Sequence, residues 1–167
     1  LGSSVAISDM DFDGKPELVV AACIYDNKGT LLGVGEWGAG GGTWGAHSFA
    51  ANVDLIGDEE VVVGNALYRI DGSTKWWNGQ RDGYPAVANF DDDDEAEIVV
   101  SAYCNLRLQD TDGSVIWDEQ VWGCVDETPD DNWIEYGGPP TIADFDGDGE
   151  PEIGLNAGGT YSVYDTN

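Results

Sequence analysis

An acidic nine-residue loop that runs straight into a β-branched strand occurs four times in this chain, and such a repeat leaves few folds open. The fullest copy is Asp144-Phe145-Asp146-Gly147-Asp148-Gly149-Glu150-Pro151-Glu152, followed by Ile153. The first copy is Asp9-Met10-Asp11-Phe12-Asp13-Gly14-Lys15-Pro16-Glu17, followed by Leu18-Val19-Val20. The third is Asn89-Phe90-Asp91-Asp92-Asp93-Asp94-Glu95-Ala96-Glu97, followed by Ile98-Val99-Val100. A worn second copy, Asn52-Val53-Asp54-Leu55-Ile56-Gly57-Asp58-Glu59-Glu60, runs into Val61-Val62-Val63. Together they spell D-x-D-x-D-G-x-x-E.

Oxygen donors at positions 1, 3, 5 and 9 suit a hard cation. Calcium accepts six to eight oxygens in irregular geometry, so a short loop can wrap it. Glycine at position 6 permits the reversal that brings position 9 back, because it takes positive φ without steric cost. The carbonyl at position 7 is expected as a neutral ligand, as in an EF-hand loop. The chain is not an EF-hand: there the closing Glu sits at position 12 between helices, whereas here β-formers follow at once. A lone acidic loop is also what a solvated hairpin turn looks like. Three intact copies, each ahead of a strand, favour the cation. In the third copy Asp94 replaces the glycine and is expected to take its left-handed conformation at some cost. In the second copy Ile56 replaces a ligand, so loop 52–60 is expected to be weak or empty.

The flanks repeat as well. Val5-Ala6-Ile7, Phe49-Ala50-Ala51, Pro85-Ala86-Val87-Ala88 and Thr141-Ile142-Ala143 precede the loops as short apolar strands. A third strand and glycine turn follow, as in Leu67 to Ser73 and Leu106 to Ser114. A fourth strand then carries Trp76-Trp77 or Trp117. No segment has helical periodicity. Four-strand units of roughly 40–50 residues are the blades of a β-propeller. The expected fold class is all-β, with propeller blades of four antiparallel strands in repeats 1–46, 47–83, 84–138 and 139–167. The last blade lacks its outer strand. That edge is either continued by further blades of a longer polypeptide or completed by a neighbouring subunit.

These loops and strands resemble the FG-GAP/VCBS repeats of integrin-α-type β-propellers over nearly the whole chain. The resemblance implies an extracellular propeller with calcium in its blade loops. Carried over residue by residue, it implies three sites. The first comprises Asp9, Asp11, Asp13 and Glu17 with the carbonyl of Lys15. The second comprises Asn89, Asp91, Asp93 and Glu97 with the carbonyl of Glu95. The third comprises Asp144, Asp146, Asp148 and Glu152 with the carbonyl of Glu150.

Charge points the same way. The chain carries 33 acidic and 6 basic residues, a formal charge of −27. Such self-repulsion destabilises a compact state, and bound cations would relieve it. Nucleic acid and anionic membranes are poor partners for this surface, and no apolar run approaches a membrane span. Weak short-loop calcium sites suit an extracellular or cell-surface setting. Cys104 and Cys124 are placed to meet as a disulfide within one repeat, while Cys23 has no evident partner.

Little suggests catalysis. His47 is the only histidine and stands beside no nucleophile motif. Trp76, Trp77 and Trp117 are expected to pack between blades. Trp37, Trp44, Trp122 and Trp133 lie in two insertions, where an indole face either covers the fold or stacks on a sugar. The acidic run 126–131 reads as a solvated loop. The expected function is a non-catalytic structural or adhesive module that binds protein partners or itself. The alternatives are a filament subunit joined across the open edge, a carbohydrate-binding module, or part of a propeller-bearing enzyme.

Overall fold

A computed structural model describes residues 2–42, 45–121, 137–157 and 159–166. Those residues form strands, turns and loops, with no helix among them. The first sheet contains β1 (Val5–Ser8), β2 (Glu17–Val20), β3 (Cys23–Tyr25) and β4 (Leu31–Val34). A two-stranded ribbon follows, β5 (Gly41–Gly42) with β6 (Gly45–Ala46). The second sheet holds β7 (Phe49–Ala51), β8 (Glu60–Val62), β9 (Ala66–Tyr68) and β10 (Thr74–Trp77). The third holds β11 (Tyr84–Ala88), β12 (Glu97–Ala102), β13 (Asn105–Gln109) and β14 (Val115–Gln120). The fourth is three-stranded: β15 (Thr141–Ala143), β16 (Glu152–Ala157) and β17 (Thr160–Tyr164). In all four sheets, chain neighbours are sheet neighbours and run antiparallel.

Each acidic loop joins the first and second strands of its sheet, as the repeat predicts. The closing glutamates Glu17, Glu60, Glu97 and Glu152 are the first residues of β2, β8, β12 and β16. Each pairs across the hairpin with the residue before the loop: Ser8 with Glu17, Ala51 with Glu60, Ala88 with Glu97 and Ala143 with Glu152. The loop ends are therefore pinned by ladder pairing, and only the interior of each loop is free to shape itself.

Three apolar clusters fasten the sheets in chain order. Val19 and Ile24 of the first sheet meet Val61, Ala66 and Tyr68 of the second. Val62 and Leu67 meet Ile98, Val100 and Ala102. Val99, Leu106 and Leu108 meet Ile153 and Leu155. The middle sheets are covered on both faces, so β8 and β12 are buried along their whole length. That is why Val61-Val62-Val63 and Ile98-Val99-Val100 are continuous apolar runs instead of alternating ones. Each fully buried Val or Ile contributes about 1.5–3 kcal/mol relative to exposure.

Polar ties reinforce the stacking. Arg107 on β13 is buried and donates from Nη2 to the Gly64 carbonyl of the second sheet at 2.7 Å. Asp82 accepts backbone N–H groups from Ala39 at 2.8 Å, Gly40 at 3.1 Å and Gly64 at 2.9 Å. That single carboxylate holds the ribbon segment against the second sheet.

The tryptophan expectation holds in part. Trp76 and Trp117 pack against apolar clusters between sheets. Trp77 does not: it is 47% exposed and stacks on Trp37, which is 44% exposed, with ring centroids 4.2 Å apart. Successive strand residues point to opposite faces, so an inward Trp76 obliges Trp77 to look out. Trp44, Trp122, Trp133 and the acidic run 126–131 lie outside the described residues. Cys104 is disulfide-bonded and Cys23 is a free thiol; Cys124, the expected partner of Cys104, lies outside the described residues.

Candidate metal centres

Every closing glutamate folds back in the same way. One oxygen accepts the N–H of loop position 2: Met10 to Glu17 at 2.9 Å, Val53 to Glu60 at 3.2 Å, Phe90 to Glu97 at 2.5 Å and Phe145 to Glu152 at 2.6 Å. The ladder pairing and this bond fix the carboxylate and leave its second oxygen for the loop interior. At position 1, Asp9 and Asp144 accept the N–H of Gly14 at 2.9 Å and of Gly149 at 3.0 Å. The acids at positions 3 and 5 fold by short-range turns, accepting the N–H two residues on. Examples are Asp13 N–H to Asp11 at 3.1 Å, Asp93 N–H to Asp91 at 2.8 Å and Asp148 N–H to Asp146 at 3.1 Å. These turns are what Asp and Asn do in loops, and each occupies one oxygen. Asp144 accepts on both, from Gly147 at 2.5 Å and Gly149 at 3.0 Å, and Asp13 on both, from the Lys15 N–H and Nζ.

Among the described residues, three groups of carboxylates converge. Asp144, Asp146, Asp148 and Glu152 bring one oxygen each to within 4.8 Å of one another. Asp9, Asp11 and Glu17 do the same, as do Asp91, Asp93 and Glu97. Asp13 stands apart from its group, with Oδ2 at 2.5 Å from Lys15 Nζ. That hydrogen bond lowers the Asp13 pKa. Asn89 accepts the Asp91 N–H at 3.1 Å and donates its Nδ2 to the Asp93 carbonyl.

Two buried carboxylate oxygens point to a missing positive partner. Asp9 Oδ1 and Glu97 Oε1 have no hydrogen-bond partner. Burial raises the pKa of Glu17 and of Glu97, against the backbone N–H groups that favour their charged forms. Nearby aspartates push the same way. A cation among these oxygens would offset both effects. The donors are all oxygen, a set that suits a hard cation better than a thiolate- or imidazole-seeking metal.

The left-handed positions extend the sequence reading. Gly14, Gly57 and Gly149 at position 6 have φ of 86°, 77° and 100°. Position 4 is left-handed as well: Phe12 at 57°, Leu55 at 57° and Gly147 at 85°. The fourth loop therefore has glycine wherever the backbone asks for it. In the third loop Asp94 does not adopt the left-handed conformation expected of it. The path changes instead, with Asn89 holding the Asp93 carbonyl.

The loops are also stitched to one another. Glu59, at position 8 of the second loop, donates its N–H to the Met10 carbonyl of the first at 2.8 Å. Ala96, at position 8 of the third, donates to the Val53 carbonyl of the second at 2.9 Å. The fourth loop has Pro151 at position 8 and no N–H to give. Sequence reading missed this stitch, since it shows only as a residue other than proline at that position. His47 is exposed and sits edge-on to Tyr84 at 5.3 Å.

Compared with known proteins, the sequence matches no protein-family profile and no curated protein. Its fold is similar to a crystal structure of the V. cholerae biofilm matrix protein Bap1, with a TM-score of 0.62 and 26% identity. The likeness covers 73% of this chain, and the chain spans 21% of the length of that protein.

Proposed function

We propose that this chain is a calcium-stabilised section of an extracellular β-propeller, non-catalytic, with a structural or adhesive role. The observation that carries the proposal is the convergence of acids in three homologous loops, two of which contain a buried, unpartnered carboxylate oxygen. Likeness to a biofilm matrix protein supports an extracellular structural setting. Asp9, Asp11 and Glu17, then Asn89, Asp91, Asp93 and Glu97, then Asp144, Asp146, Asp148 and Glu152 would hold the ions. The carbonyls of Lys15, Glu95 and Glu150 complete the ligand set. Bound calcium supplies charge neutralisation and cross-links positions 1 to 9 of each loop, which rigidifies the hairpin that carries it.

Partner binding is proposed to run through the end sheets. Val5 pairs with Val20 and Val20 with Cys23; Ile7 pairs with Leu18 and Leu18 with Tyr25. Paired residues share a face, so these side chains form one apolar surface, with Ile7 67% exposed. On the fourth sheet Tyr161 and Val163 are exposed in the same manner. Such patches mark interaction surfaces.

The test is thermal unfolding of the chain in calcium and in chelator. Extracellular calcium modules have a Kd of about 10⁻⁴–10⁻³ M. A site at about tenfold excess of ligand over Kd adds about 1.4 kcal/mol, and three such sites add up. A rise in Tm of several degrees with millimolar calcium is expected. An unchanged Tm would reduce the loops to solvated turns and end the proposal.

A further inference from the structure

The second loop lacks a ligand at position 5, yet Asp54 and Glu60 remain at positions 3 and 9, and both are poorly exposed. Into this loop reaches Lys75 from β10, the outer strand of the same sheet. Its Nζ contacts Asp54 Oδ2 and lies 2.7 Å from Glu60 Oε1. The side chains are 22%, 14% and 4% exposed for Lys75, Asp54 and Glu60. In the other loops the corresponding oxygens converge on one another, and the first loop's own lysine, Lys15, is paired with Asp13, outside the converging group of Asp9, Asp11 and Glu17. Where the pattern loses an acid, a base has come in.

We infer that the Lys75 ammonium is a built-in cation that takes the place of calcium in the second loop. It offsets part of the charge of Asp54 and Glu60 and holds the hairpin closed by the contacts a metal would otherwise make. An ammonium offers three donors and one positive charge, matched here to two carboxylates where an intact loop has more. Ile56 and Lys75 thus form one exchange: the acid that would have completed the ion's shell is gone, and so is the need for it. The inference rests on the reading that the other three loops take calcium.

The position of this loop gives the exchange a consequence. The second loop lies between the first and third in the stitched row, through Glu59 to Met10 and Ala96 to Val53. A loop closed by its own lysine keeps the middle of that row in place when calcium is scarce. The flanking loops then bind their ions onto a prepared frame.

Hydrogen exchange of the position-2 amides tests this in the intact chain, in calcium and in chelator. These are the N–H groups of Met10, Val53, Phe90 and Phe145, each bonded to its closing glutamate. Met10, Phe90 and Phe145 are expected to gain protection with calcium, while Val53 is equally protected in both. Lys75→Met is expected to lower Val53 protection in chelator at least about tenfold, and Lys75→Arg to keep most of it. Calcium-dependent protection of Val53 in the unmodified chain would overturn the inference, as would an unchanged Val53 in Lys75→Met. If no amide responds to calcium but Lys75→Met still exposes Val53, the calcium reading fails, and Lys75 is a structural ion pair that replaces no ion, which overturns the inference on a ground distinct from an unchanged Val53.

Discussion

The indole Nε1 of Trp76 donates to the carbonyl of Thr111 at 2.7 Å, tying the outer strand of the second sheet to the last turn of the third. The same ring lies over Gly113, where an added Cβ would come within 2.7 Å of the indole. Gly113 has φ of 86°, which a side chain rarely adopts. The turn and the tryptophan are thus fitted to each other across a sheet boundary.

Trp76→Phe should retain much of the packing and lose the hydrogen bond, costing about 1 kcal/mol. Gly113→Ala should cost more, because strain and overlap act together. Urea unfolding in calcium would rank them. A neutral Gly113→Ala would mean that the turn moves away from the indole without loss.

Glu97→Gln should have opposite effects in the two conditions. The amide can still accept the Phe90 N–H, but it no longer offers a charge to an ion. In chelator the variant should match or exceed the unmodified chain, because an unpaired buried carboxylate is costly. In calcium it should melt lower and bind one equivalent fewer by titration calorimetry. Lower stability in chelator as well would assign Glu97 a purely structural role.

Much of this was legible in the sequence because the repeat reports one physical constraint several times over. The glutamate closing each loop, the apolar run after it and the glycine turn before the outer strand recur at matching places, so a single hairpin chemistry explains all of them. What was not legible depends on contacts between distant residues. Lys75 stands far along the chain from Asp54, on a strand whose direction only pairing with β9 fixes. Arg107 reads as a surface charge on a short strand, yet it is buried because Gly64, Arg81 and Gln109 offer it acceptors. The left-handed conformations of Phe12 and Leu55 leave no mark in residue type. Only Gly147 at the same position hints at them.

The Lys75 bridge should set a characteristic pH profile in chelator. Burial works to raise the Asp54 pKa, but the Lys75 hydrogen bond, the Ile56 N–H and the Lys75 charge together outweigh it and the value is lowered. Burial works to lower the Lys75 pKa, but its bonds to Asp54 and Glu60 outweigh that and the value is raised. A depressed carboxyl contributes stability above its unfolded value, near about 4, and loses it as pH falls through the folded value. A raised ammonium contributes fully below its unfolded value, near about 10.4, and loses it as pH rises through the folded value. The stability difference between the unmodified chain and Lys75→Met should therefore be flat from about pH 5 to pH 10 and close at both ends. A difference that varied steeply near neutral pH would place its origin elsewhere.

Tyr68→Phe probes the contact between the first two sheets. The Tyr68 hydroxyl accepts N–H groups from Trp37 at 2.9 Å and Gly38 at 2.6 Å, and donates to the Gly38 carbonyl at 3.1 Å. Removing it leaves two donors without an acceptor at a partly buried place, a loss of about 1–3 kcal/mol. Hydrogen exchange at Trp37 and Gly38 should quicken while the amides of β12 stay protected. Equal quickening of β12 would indicate global destabilisation instead of local release.

The uncovered face of the first sheet yields the last prediction. In the middle sheets, both faces of the corresponding strands are buried by neighbours, and their side chains are aliphatic for that reason. On the first sheet, Val19 and Ile24 face the second sheet, while Leu18, Val20, Cys23 and Tyr25 face away from it beside the exposed Val5 and Ile7. These residues have the character of an interface without a neighbouring sheet. The fourth sheet repeats the situation with Tyr161, Val163 and Phe145. One such face on each end sheet allows head-to-tail contact between copies, which does not close on itself as a two-fold contact does. The isolated chain should therefore associate as its concentration rises, as read by sedimentation velocity. Ile7→Lys should reverse this, since it places a charge at the 67% exposed Ile7 of that face while leaving the three apolar clusters between sheets untouched. Its Tm at low concentration should stay within about 1 °C of the unmodified chain, because the site is exposed and unpacked. A monomer at every concentration, or association that Ile7→Lys leaves intact, would show that the first-sheet face is not an interface for this chain.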